Sequence, residues 1–199
     1  MTWLTQMEPP LPEDVSPFAA YGTVDEATLS AYKNRLEKKN IIWHTIDAGD
    51  GKAGSIALIS RSEKPGEPSQ YKMAVNRNHN PNVRFATLAH ELGHLFLGHL
   101  GKDKYLNIPE RPKLSHAQVE LEAESVSYII CSRNGIKSKA ESYLSTYVSS
   151  DTSIENLDLY QIMRAAGQVE NILGLSAPTK YDRPSKAPTS DVNMQDTLF

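Results

Sequence analysis

The chain has 199 residues, 39% apolar and 23% charged, which is enough for one domain with a hydrophobic core plus tails. A formal net charge of −3 leaves no basic excess to hold a phosphate backbone, so no strong direct nucleic-acid binding is expected. A single cysteine, Cys131, rules out an internal disulfide framework and a Cys-rich zinc site, and no apolar run reaches the ~18 residues of a membrane span.

Residues 1–22 carry Pro9, Pro10, Pro12 and Pro17 with little pattern, and read as an extended arm. The opening is acidic and has no basic region followed by an apolar stretch. It does not look like a secretory signal, and a cytoplasmic location is the expectation. "TVDEATLSAYKNRLEKKN" is helical in pattern. Thr23 and Glu26 have capping-box spacing, and Ala27, Leu29, Tyr32 and Leu36 give a partial apolar stripe. Three β-rich runs follow, Ile41–Ile46, Gly54–Ser60 and 71–76, separated by Gly, Pro and Asp. They are expected to form a small antiparallel sheet, with an exposed loop at 61–70.

The signal then turns helical. Asn80-Pro81 supplies an N-cap and first residue, and Gly101 a stop, for a helix over 81–100. Ser115 and Gln118 have capping-box spacing and open a helix that should end near Asn134-Gly135. Ser138/Glu141 and Asp158/Gln161 repeat the signature before helices at 139–149 and 159–173, the latter closed by Gly174. Residues 23–175 thus form one α+β domain. Residues 176–199 form a proline-rich tail, expected to be disordered.

The chemistry is concentrated in "RFATLAHELGHLFLGHL", residues 84–100. His90-Glu91-Leu92-Gly93-His94 is H-E-x-x-H. Residues four apart share a helix face, so His90 and His94 can offer two imidazole nitrogens to one ion. Glu91, one residue on, sits beside that ion, where a base takes a proton from a water. Leu88, Leu92, Leu95 and Phe96 keep the helix in a core, and Gly93 and Gly98 permit close approach of a backbone or a substrate. His99 is five residues from His94, leaves the ligand face and reads as an end-of-helix histidine.

A third protein ligand is then needed, with a fourth position open. "SHAQVELEAESVSYIICSRNG" offers Glu120, Glu122 and Glu124. Glu120 and Glu124 share a face and Glu122 lies roughly opposite. The economical arrangement has Glu120 on the metal and Glu124 behind it, holding the free N–H of a ligand histidine. Glu122 is the best surface candidate and also the fallback ligand. Imidazole and carboxylate suit zinc, with manganese as the alternative. A donor to the oxyanion is expected from Tyr128, His99, His116 or Tyr105.

"TLAHELGHLFLGH" followed by "VELEAESVSYII" resembles the ImmA/IrrE family of metallo-endopeptidases, over about a third of the chain. The resemblance implies a zinc gluzincin-like fold, with His90 and His94 as zinc ligands, Glu91 as the catalytic glutamate and Glu120 as the third ligand. It also implies cleavage of a helix-turn-helix repressor, in a bacterial stress response or on a mobile or phage element. Glu124 stands where that family has Asn or Asp, and Ser125-Val126-Ser127 replaces Phe-Ala. In these features the chain is similar to the metalloprotease half of ArdC-type antirestriction proteins. That likeness raises a second function, a non-catalytic metal-binding module acting through protein or DNA-replication partners. The chain ends "QDTLF", which resembles a sliding-clamp docking peptide with Gln195, Leu198 and Phe199 as its contacts.

Overall fold

A computed structural model describes residues 18–49, 51–62, 67–138 and 157–175. Its elements are β1 (Ala20–Tyr21), α1 (Glu26–Glu37), β2 (Ile41–Ile46), β3 (Gly54–Ser60), β4 (Gln70–Asn76), α2 (Pro81–Leu97), α3 (His116–Arg133), β5 (Lys137–Ser138) and α4 (Leu159–Leu173). The architecture is α+β, as expected. The helix expected at 139–149, most of the N-terminal arm and the tail with Gln195, Leu198 and Phe199 lie outside the described residues. The last residues of the arm dock on the domain: Ala19 and Ala20 are buried, and β1 pairs antiparallel with β5.

Local chemistry sets the helix starts. Asn80 accepts from the amides of Asn82 and Val83 ahead of Pro81, which satisfies donors that a helix start leaves orphaned. Ser115 and Gln118 form a complete capping box on α3, and Asp158 caps α4 through Gln161. The first helix departs from expectation. Its cap is Asp25, whose carboxylate takes the Thr28 amide at 2.8 Å, and not Thr23.

The sheet is mixed, which corrects the antiparallel expectation. Strand order is β2-β4-β3, with β4 parallel to β2 and antiparallel to β3. The chain reverses from β2 to β3 and reverses again into β4. Because β4 inserts between its two predecessors, it lies beside the strand whose direction it shares. As the central strand it is buried on both faces, at Tyr71, Met73, Ala74 and Val75. β3 is left as an edge, and it runs against α2 closely enough that a Cβ on Gly54 would meet Thr87 at 2.6 Å. The Asn76 amide ties the β2–β3 connection by donating to the carbonyls of Gly49 and Lys52.

α2 is the hub, touching β1, β3, β4, α1, α3 and α4. Leu88, Leu92 and Leu95 are fully buried on it, each burial stabilising by about 1.5–3 kcal/mol. α3 packs antiparallel to it. Ser127 donates to the Ala86 carbonyl at one end, and at the other a Cβ on Gly93 would lie 3.2 Å from the Ala123 carbonyl oxygen. Gly93 therefore serves a neighbouring backbone and not a substrate. Arg164 of α4 donates to the Phe96 carbonyl, and Arg133 of α3 pairs with buried Glu170 of α4 at 3.0 Å.

α2 stops earlier than Gly101. Gly98 adopts φ +83°, and the His99 amide bonds back to the His94 carbonyl at 3.1 Å. This is a Schellman ending, in which a left-handed residue turns the chain over the last helical turn. Only glycine suits the position, since a Cβ there would also meet the Pro109 carbonyl oxygen at 2.6 Å. Gly98→Ala is expected to lose roughly 1–3 kcal/mol of stability, read as a lower urea midpoint at an unchanged m-value.

Candidate metal centre

The antiparallel contact of α2 and α3 sets imidazoles against carboxylates. His90 and His94, one turn apart, bring their Nε2 atoms to 3.0 Å. Glu120 lies 3.5 Å from His90 Nε2 through Oε2 and 3.7 Å from His94 Nε2 through Oε1. One ligand atom from each of the three residues falls within 4.8 Å of the others. Ligands at zinc bonds of about 2.0–2.1 Å in a tetrahedron are spaced about 3.3 Å apart, and the observed separations bracket that spacing. The donor set, two imidazoles and a carboxylate, leaves one of four tetrahedral positions without a protein ligand among the described residues, which fits a catalytic zinc site.

The electrostatics agree with the geometry. The facing imidazoles of His90 and His94 hold the Glu120 carboxyl well below the usual carboxylate range. Burial opposes a charged His90, yet Glu120 and Glu124 outweigh it and raise that group to about 10. His94 goes the other way, lowered first by burial. The carboxylates around His90 thus favour positive charge at the cluster, as a cation site requires.

Glu124 puts Oε2 2.9 Å from His90 Nδ1, on the ring nitrogen that faces away from the cluster. Glu91 is half-buried beside His90 and Glu120. Burial lifts its carboxyl above the usual range, with Glu120 adding to the rise, while His90, the Ile56 amide and Lys52 act against it. The Ile56 amide belongs to β3, so the outer edge of that strand faces Glu91.

Two sequence expectations are corrected. Glu122 is neither a surface charge nor a ligand. Its side chain is 2% exposed, and its carboxylate is taken by His99 at 3.1 Å and Arg111 at 2.9 Å, away from the cluster. Those two contacts lower its carboxyl against the effect of burial. His99 does not leave the site either. The turn at Gly98 folds it back, and its Nδ1 lies 3.0 Å from His94 Nδ1. The five-residue spacing held only for a helix that continues. Arg111 was missed altogether, since a loop with Pro109 and Pro112 carries no periodic signal. Its NH1 also reaches the Leu97 carbonyl at 3.5 Å.

The remaining oxyanion candidates separate by place. Both ring nitrogens of His99 are engaged. Tyr105 lines a groove with Lys39, Leu106 and Gln168, on the side facing α1 and α4. His116, strongly exposed, has Nδ1 3.8 Å from Glu120 Oε1. Tyr128 follows Glu124 by one turn and is partly exposed. Cys131 is buried, and burial pushes its thiol up to about 12, which takes it out of nucleophilic chemistry at neutral pH.

No helix among the described residues is long and apolar enough to cross a membrane. Residues 53–149 match the family model described as Peptidase_M78, IrrE N-terminal-like domain. No curated protein and no solved structure matches the chain significantly. The matched span runs from β3 through α2 and α3 and takes in His90, Glu91, His94 and Glu120. The match, over just under half of the chain, supports an ImmA/IrrE-type metallopeptidase at residues 53–149.

Proposed function

We propose that the protein is a zinc-dependent endopeptidase that hydrolyses a peptide bond within a protein substrate. The observation that carries this reading is the position of Glu91. It is a half-buried carboxylate held above the usual carboxylate range, beside the His90, His94 and Glu120 triangle and under the outer edge of β3. Bound zinc supplies a Lewis acid and makes water acidic near neutral pH. Glu91 takes the proton of the attacking water and returns it to the departing amine nitrogen as the C–N bond breaks. A carboxylate lifted by burial suits both transfers.

β3 supports the choice of a polypeptide substrate. It is an edge strand whose outer side faces the base. An extended segment of another chain can add along such an edge through main-chain hydrogen bonds, which carries its carbonyls past Glu91. By the family resemblance, the substrate class is a helix-turn-helix repressor.

Glu91→Gln is expected to keep stoichiometric zinc while cleavage falls by about 10²–10⁴, whereas His94→Ala loses zinc. Proteins captured by Glu91→Gln and found as fragments beside the wild type, identified by mass spectrometry, name the substrate. Cleavage by Glu91→Gln at the wild-type rate contradicts the mechanism. For the oxyanion donor, His116→Ala and Tyr128→Phe are expected to divide. Loss of the true donor lowers kcat by about 10²–10³ with little change in KM, and the other leaves both unchanged.

A further inference from the structure

We infer that His99 is a positioning residue for His94, fixed in that task by Glu122 and Arg111, and that this buried chain selects the metal-binding tautomer of His94. The inference rests on the zinc reading above. His94 turns Nε2 toward His90 and Glu120, so that atom must keep its lone pair for an ion and the ring proton belongs on Nδ1. That Nδ1 lies 3.0 Å from His99 Nδ1. Two facing ring nitrogens share one proton, so His94 donates and His99 accepts. The proton of His99 then sits on Nε2, 3.1 Å from Glu122 Oε2, and donates to it. Glu122 accepts again, through Oε1, from Arg111 at 2.9 Å. A single condition at His94 orients every proton in the chain, and each polar atom finds one partner.

The two ligand histidines are thus held differently. His90 meets a carboxylate directly, at Glu124. A second direct carboxylate at His94 would add another negative charge to a pocket that already contains Glu91, Glu120 and Glu124. Interposing the ring of His99 sets Glu122 farther from the metal position, and Arg111 neutralises it. Burial makes the arrangement demanding, because the side chains of His99 and Glu122 are 4% and 2% exposed. A buried charge pair that loses one partner leaves the other uncompensated. The Schellman turn explains the placement. Its residue after the left-handed glycine habitually packs on the third residue before the helix end, and here those two residues are His99 and His94.

Without an ion that claims the His94 Nε2 lone pair, His99 could carry both ring protons and donate to His94 Nδ1 as well as to Glu122, so the test reads the protons. In zinc-loaded wild-type protein, NMR of the histidine ring nitrogens should find the proton of His94 on Nδ1 and that of His99 on Nε2. His99 protonated on Nδ1 overturns the inference. In parallel, His99→Leu is expected to weaken zinc binding by about 10–100-fold in a chelator competition. His99→Asn, which keeps an acceptor near the Nδ1 position, should recover most of it. A folded His99→Leu protein with wild-type zinc affinity also overturns the inference. If His99→Leu does not fold, the ring-nitrogen result on the wild type decides alone. Wild-type protein that shows the expected tautomers but cleaves nothing supports the inference while defeating the endopeptidase reading.

Discussion

The site depends on one close contact, the approach of α3 to α2 at Gly93. A side chain there would press on the Ala123 carbonyl and on Val126. Without one, the two helices run antiparallel with Ser127 at Ala86, Glu124 at His90 and Glu120 at His94. The glycine thus lies between His90 and His94, where the opposite helix must be nearest. Each helix is capped at its start, and that single contact sets how closely the two can approach. The imidazoles and carboxylates meet without any loop having to order around them.

A second constraint is charge. Glu91, Glu120, Glu122 and Glu124 converge on the space around His90, His94 and His99. Burying carboxylates unpaired would cost several kcal/mol each. The protein compensates each in its own way. Glu120 faces two imidazoles, Glu124 faces one, and Glu122 is bracketed by His99 and Arg111. Glu91 alone has mainly a backbone amide, Lys52 and the nearby His90 charge, and it is the carboxyl that burial lifts. The proposed base is thus the least completely satisfied of the four carboxyls.

Much of this was legible in the sequence because helices transmit spacing. His90, Glu91 and His94 follow from a four-residue repeat in an apolar stripe, and Glu120 and Glu124 from the same repeat on a second capped helix. The ends and connections were less legible. His99 was placed by helical spacing, but Gly98 had already ended the helix. A glycine one position past an apolar stripe was the available signal, since it predicts a fold-back contact between His99 and His94. Glu122 read as a surface charge because its partner Arg111 sits in an unpatterned loop. The mixed sheet escaped because alternation within strands says nothing about which strand inserts between which. The family comparison carries the first of the two sequence resemblances and leaves the antirestriction likeness as an expectation.

The central claim is that His90, His94 and Glu120 form a preset site for one zinc ion with a side left open for water. X-ray absorption at the zinc edge, on stoichiometrically loaded wild-type protein, tests it most directly. The account predicts a four-coordinate shell at about 2.0–2.2 Å, with the outer scattering of two imidazoles and the remaining ligands oxygen. A shell without imidazole scattering, or an all-oxygen six-coordinate ion, would contradict it.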